Sequence, residues 1–314
     1  MHPWNAALFE SLTRRTARLP HALLIHGARG TGKLALAERI AQFLLCEDAD
    51  SARKPCGACE GCRWFLAGSH PDSRRLEPEA LAREPLGDAE EGDAPAKKGK
   101  PSTEIKVEQV RELAGFLNLR SHRGRLRVAL VHPAEGMNPT AANALLKGLE
   151  EPPAGAVFLL VSHRPARLLP TIRSRCVALP VPIPPRAEAL RWLSAQGAKN
   201  PARWLAYAAG APLMALDYAG RAELLERFLK HPAPIDDRDE LDAFAEGLQK
   251  IALDRAFVAL GLPPKYQTGV PPTDRAQAHT WLAFARQMGQ HRLLTGHTLN
   301  PKLFSAEMLA GLPS

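Results

Sequence analysis

The sequence predicts a parallel, helix-covered α/β sheet domain over residues 1–181, then a small helical domain over 182–219 and a helical bundle over 220–314. Three observations carry this prediction. Short, continuous apolar runs alternate with helical periodicities in the first 181 residues, the pattern of strands buried on both faces. One of these runs enters a glycine-rich loop that opens a helix. The stretch "VPIPP" (181–185) ends the alternation, and beyond it the hydrophobic spacing is helical throughout.

The elements follow in order. "HALLIHG" (21–27) is a strand ending in glycine, and "KLALAERIAQFLL" continues as a helix with Leu34, Ala37, Ile40, Ala41 and Leu44 on one face. "RVALVH" (127–132), "AVFLLVS" (156–162) and "CVALPV" (176–181) are expected as buried strands. "NPTAANALLKGLEE" is a helix with Asn138 and Pro139 as start signals and two prolines as its stop. Residues 186–218 form short helices. Later, Leu241, Phe244, Leu248, Ile251 and Ala252 share a face, as do Trp281, Phe284, Ala285 and Met288. Residues 84–103 carry acidic then basic charge with Gly and Pro and almost no apolar residues, the composition of a disordered insertion.

At 314 residues, 45% hydrophobic and 24% charged, the chain has the composition of a globular protein with a large core. No apolar run approaches the roughly 20 residues of a membrane span. The opening "MHPWNAALFESLTRR" has no apolar core behind a basic tip, so a cytoplasmic protein without membrane contact is expected. The net charge of +8 is uneven. Residues 220–314 hold 11 basic and 11 acidic side chains, leaving 30 against 22 in residues 1–219. A basic N-terminal region suits contact with nucleic acid or nucleotide, and equally a basic enzyme. Arg120, Arg123, Arg125 and Arg127 in "LRSHRGRLRV" are a candidate phosphate contact, or a solvated loop.

"GARGTGKL" (27–34) meets the phosphate-loop pattern at Gly27, Gly32 and Lys33, but Leu34 replaces the hydroxyl that binds magnesium. A second strand should end in acids that hold the metal and orient water. "RVALVHPAEG" offers His132 and Pro133 there, and Glu135 is expected to be turned away. Both metal positions are lost together. Two readings of the loop stay open: a residual phosphate site through Gly27, Gly32 and Lys33, or a glycine turn joining strand to helix.

Cys46, Cys56, Cys59 and Cys62 have the spacing C-x9-C-x2-C-x2-C. Four thiolates suit tetrahedral zinc, and such a closed site is structural or a partner surface. An iron–sulfur cluster accepts C-x2-C-x2-C as well, but nothing else here resembles a ferredoxin run. In "LLPTIRSRCVALPV", Arg175 stands just before a strand at the end of the sheet. It is a surface-turn residue, or a finger aimed at a neighbouring molecule's phosphoryl group.

With "PWN", "LPHALLIHGARGTGK", the cysteine module, "HPD" (70–72), "IKVEQVREL" (105–113), "NPTAANALLKGLEEPP" and "TIRSRC" in view, the chain resembles the delta-prime family of bacterial DNA polymerase III clamp loaders, members of the AAA+ superfamily. The resemblance covers most of residues 1–220, and "LNPKLFSAEML" extends it weakly into the last third. It implies an AAA+ domain with an inserted zinc module, a helical lid and an all-α collar. Through the collar, five subunits form a hetero-oligomeric ring that opens a sliding clamp and places it on primed DNA. The expected partners are gamma or tau, which bind ATP, and delta. Zn2+ at Cys46, Cys56, Cys59 and Cys62 is implied, as is a role for Arg175 at a neighbour's ATP. Degraded nucleotide motifs are usual in the family, and "GAPLMAL" offers Leu213 and Met214 where ATP-binding relatives keep an arginine. The survival of Gly32 and Lys33 departs from that habit.

The reading that follows is a stator subunit without ATPase activity of its own. Two alternatives are a gamma-like motor, which needs Ser or Thr at 34 and acids at 132 and 133, and a zinc-dependent DNA-binding protein acting alone.

Overall fold

The computed structural model describes residues 1–14, 19–81, 101–119 and 126–313. The predicted insertion therefore lies outside the described residues up to position 100, as do Arg120, Arg123 and Arg125. The chain forms two compact units, Met1–Ile183 and Pro184–Ser314.

In the first unit, α1 (Ala6–Thr13) precedes β1 (Ala22–His26), which leads through the glycine loop into α2 (Lys33–Leu45). Then come α3 (Glu60–Leu66), β2 (Ser73–Leu76), α4 (Val107–Asn118), β3 (Arg127–Val131), α5 (Pro139–Glu150), β4 (Ala156–Ser162), α6 (Pro170–Arg175) and β5 (Val177–Pro180). All strand pairs are parallel, in the order β2-β3-β4-β1-β5. The alternation of apolar runs with helices thus reports the sheet correctly. Helix α5 starts as its sequence predicts, with the Asn138 side chain accepting from the Ala141 N–H at 2.8 Å and Pro139 in the first turn.

Side chains from alternate strand positions feed two cores. Leu23, Ile25, Leu130, Leu159 and Val161 meet α2 on one face, while Leu24, Val131, Phe158 and Leu160 meet α4, α5 and α6 on the other. Strand β2 was hidden in "DSRRL", whose charged residues mask its alternation. Two further differences from expectation have a common cause. β5 is not a buried strand: it pairs only with β1 at the sheet edge, and Val177 is 55% exposed. Arg127 is not a surface cation: it lies 3.7 Å from Asp72, both almost fully buried, over the Phe116 ring. Apolarity and charge in a run do not reveal which neighbours cover it.

The second unit is helical: α7 (Arg186–Ala195), α8 (Pro201–Tyr207), α9 (Pro212–Gly220), α10 (Ala222–Lys230), α11 (Leu241–Ala259), α12 (Ala278–Leu294) and α13 (Pro301–Ala310). Leu193, Trp204, Tyr207 and Tyr218 share one core with Phe228, Phe244, Leu248 and Trp281. The predicted faces of α11 and α12 supply most of it, although Ile251 is only half-buried.

Asp254 of α11 is fully buried and accepts from the Tyr266 N–H (2.8 Å), the Thr268 N–H (2.9 Å) and the Thr268 hydroxyl (2.8 Å). Asp254→Ala leaves these donors without an acceptor and is expected to destabilise the unit by about 2–4 kcal/mol in urea unfolding. A change within about 0.5 kcal/mol would overturn this role for Asp254.

Candidate functional site: a closed phosphate loop, a four-thiol centre and Arg175

Ligands of open parallel sheets bind outside the carboxyl ends of the strands. Here the residues that follow β1, β3 and β4 are the glycine loop, His132 with Glu135, and His163. Two glycines are sterically required in the loop. A Cβ on Gly27 would fall 2.3 Å from the Val181 carbonyl oxygen, and one on Gly32, at φ +80°, would fall 2.5 Å from the His2 ring.

The N-terminal residues His2, Trp4 and Asn5 close over that loop. The His2 and Trp4 rings stack at 4.8 Å. Trp4 Nε1 donates to the Thr31 carbonyl at 2.9 Å, and Asn5 Nδ2 donates to the Thr31 and Gly32 carbonyls at 3.1 and 3.3 Å. Inside, Lys33 is only 2% exposed, and its Nζ donates to the Ala28 carbonyl of its own loop at 2.5 Å. Burial pushes this ammonium down to about 8, against the opposing pull of Glu135.

Glu135 is therefore not turned away. It sits in the short 3-10 turn Ala134–Gly136 after β3, and its Oε1 accepts from the His163 and Arg164 backbone N–H groups at 2.8 and 3.1 Å. Its Oε2 is buried and meets no donor among the described residues. The tight turn brings the carboxylate back over the strand ends, which linear spacing did not show. It caps the end of β4, and no second acid accompanies it at 132 or 133. His132 and His163 pack edge to face at 5.3 Å. Burial first, then neighbouring positive charge, pushes both imidazoles down to about 4, so both are neutral at pH 7. The sequence reading missed His163 and the N-terminal closure. Two aromatic rings and an amide within five residues of the start were the available signal.

The four cysteines converge as their spacing predicts. Cys46 ends α2, Cys59 caps α3 and Cys62 lies within it, and the four Sγ atoms lie within 4.8 Å of one another. Cys46 Sγ is 3.6 Å from that of Cys56 and 3.9 Å from that of Cys59. A tetrahedron with metal–sulfur bonds of about 2.3 Å requires about 3.8 Å. The N–H groups of Glu47, Cys56, Cys59 and Cys62 point at these sulfurs at 3.3–3.4 Å. Such donors favour thiolates, and those of Cys59 and Ala58 lead in pulling Cys56 down to about 6. The centre fits one metal ion.

Arg175 ends α6, directly before edge strand β5. Its Nη2 lies 2.5 Å from Glu150 Oε1, and its Nη1 donates to the Thr171 carbonyl at 3.0 Å. In the second unit, Leu213 and Met214 are half-buried in the first turn of α9.

Residues 5–184, more than half of the chain, match the sequence model of the family described as "DNA polymerase III, delta subunit". The chain belongs to this family. It is 43% identical to the DNA polymerase III subunit delta' of Pseudomonas aeruginosa over 219 residues, which are 68% of this chain and 60% of that protein. It is 36% identical to the subunit delta' of Yersinia pestis over 284 residues, 90% and 74% of the two chains. The subunit tau of Salmonella typhimurium is 36% identical over 160 residues, 51% of this chain and 21% of that one. The Pseudomonas alignment thus spans less than two thirds of that relative. In this delta-family chain the five-stranded parallel sheet carries a phosphate-loop-like turn after β1.

Two measurements test the site. Because the unfolded chain keeps the Lys33 proton to higher pH than the folded one, this residue makes the folded state more stable as pH rises between about 8 and 10. In urea titrations Lys33→Met should flatten that rise, and an unchanged slope would count against the buried ammonium. Metal analysis should find about one ion per chain in the parent and none in Cys59→Ser, with release on acidification as the thiolates protonate.

Proposed function

We propose that the chain is a non-hydrolysing stator of the DNA polymerase III clamp loader in the cytoplasm. In this role it joins gamma or tau and delta in a pentameric ring that places the sliding clamp on primed DNA. Residues 182–219 act as the lid and 220–314 as the collar of the second unit. The metal at Cys46, Cys56, Cys59 and Cys62 is Zn2+, which stabilises the turn between α2 and α3 and has no open position for catalysis.

The observation that carries this reading is the closure of Lys33 on its own loop, beside a leucine and a histidine at both magnesium positions. Hydrolysis of a nucleoside triphosphate depends on metal and on an oriented water, and Leu34 and His132 supply neither. Similarity to tau speaks for the motor alternative, but the shared region does not restore these groups.

What remains for catalysis is Arg175, which acts on the ATP of the adjacent gamma or tau subunit. Its guanidinium stabilises charge on the transferring phosphoryl oxygens while Gly27, Gly32 and Lys33 serve the frame of this chain.

The isolated chain with magnesium and ATP should release phosphate no faster than its Lys33→Ala variant. A rate near that of the assembled complex would refute the stator. In a complex whose only intact nucleotide site adjoins this chain, Arg175→Ala should slow turnover by about 10³-fold or more. Undiminished turnover would remove the finger from the mechanism.

A further inference from the structure

The ion pair between Arg175 and Glu150 leads beyond the finger itself, on whose assignment the following inference rests. An arginine that serves a phosphoryl group needs its terminal nitrogens. Both are engaged here: Nη2 with Glu150 Oε1 at 2.5 Å, Nη1 with the Thr171 carbonyl at 3.0 Å and the Ser174 hydroxyl at 3.5 Å. "TIRSRC" offers two arginines, and the structure separates them. Arg173 is exposed, whereas Arg175 is drawn back to 34% side-chain exposure.

The pair is held by packed neighbours. Leu149, next to Glu150, and Ile172, three residues before Arg175, are buried in one hydrophobic core, which fixes the ends of α5 and α6 against each other. The carboxyl end of a 12-residue helix adds partial negative charge beside Glu150. The guanidinium is thus drawn to a prepared negative point on its own subunit.

We propose that Glu150 is a positioning residue that parks Arg175 until a neighbour presents a triphosphate. An exposed pair of this kind biases a side chain by a factor of only about two to five. Glu150 is 47% exposed, so the hold is of this weak class. A triphosphate, with several charged oxygens, outcompetes one carboxylate, whereas a diphosphate places no γ-phosphoryl group within the finger's reach. The parked pose therefore lowers affinity for the triphosphate state by this modest factor and leaves the diphosphate state untouched, so it tempers the difference between the two nucleotide states of the neighbour. It also keeps an unpaired guanidinium from engaging other anions.

The test titrates the full labelled chain into the complex that lacks it, with the neighbour holding either ADP or a non-hydrolysable ATP analogue. The readout is the ratio of the two affinities. Glu150→Gln should raise the affinity about two- to fivefold with the analogue and leave it unchanged with ADP. Glu150→Asp, which keeps the charge, should stay nearer the parent. In an Arg175→Ala background Glu150→Gln should have no effect, which a merely structural role of Glu150 would not reproduce. If Arg175→Ala lowers the ratio but Glu150→Gln leaves it unchanged or lowers it, parking is wrong and the finger stands. If Arg175→Ala leaves the ratio unchanged, the finger reading fails and parking falls with it.

Discussion

A buried ammonium needs an acceptor, and the way Lys33 finds one shapes the whole nucleotide-like end of the sheet. In a working phosphate loop the ligand is that acceptor and the loop's backbone amides gather around it. Here the lysine takes the Ala28 carbonyl instead, and Glu135 balances its charge from the far side of the strand ends. Neutral His132 and His163 fill the remaining space without adding charge. His2, Trp4 and Asn5 then seal the outer face through the Thr31 and Gly32 carbonyls. These groups together satisfy the buried lysine from within the chain. The loop is tied by bonds internal to the chain.

The second unit buries a lysine by another route. The Nζ of Lys250 lies 3.7 Å from the centre of the Tyr207 ring and 4.3 Å from that of Tyr218, with Tyr266 at 5.5 Å. Glu246 meets it at 3.0 Å, and Tyr218 bonds both Glu246 and the lysine. Ring faces attract a desolvated cation, and one carboxylate supplies the charge. Tyr207 and Tyr218 come from α8 and α9, Glu246 and Lys250 from α11, and Asp254 draws in the segment that carries Tyr266. The stretches read from sequence as lid and collar are thus tied by one polar network within a single core.

What was legible in the sequence depended on whether the signal was local. The convergence of four thiols was legible because a Cys-x2-Cys turn brings its own sulfurs together. Strands β1, β3 and β4 were readable because they are buried on both faces and need no alternation. β5 has the same apolar composition, yet it stands at an edge, a fact set by pairing partners rather than by its residues. Arg127 looked like part of a basic cluster until Asp72, 55 positions earlier, proved to lie beside it. Glu135 was misjudged for the same reason: the turn that redirects it is local, but the groups it faces, Lys33 at the start of α2 and the backbone after β4, come from distant elements. Long-range pairing decides these cases, and a periodic pattern carries no record of it.

The glycine loop and Arg175 rest on different supports. The loop is held by the N-terminal residues, Ala28 and Glu135. Arg175 is held by the ends of α5 and α6 through Leu149, Ile172 and Glu150. If the proposed function holds, an arginine presented from this frame answers to the neighbour's phosphates, which is what a stator would contribute to its ring.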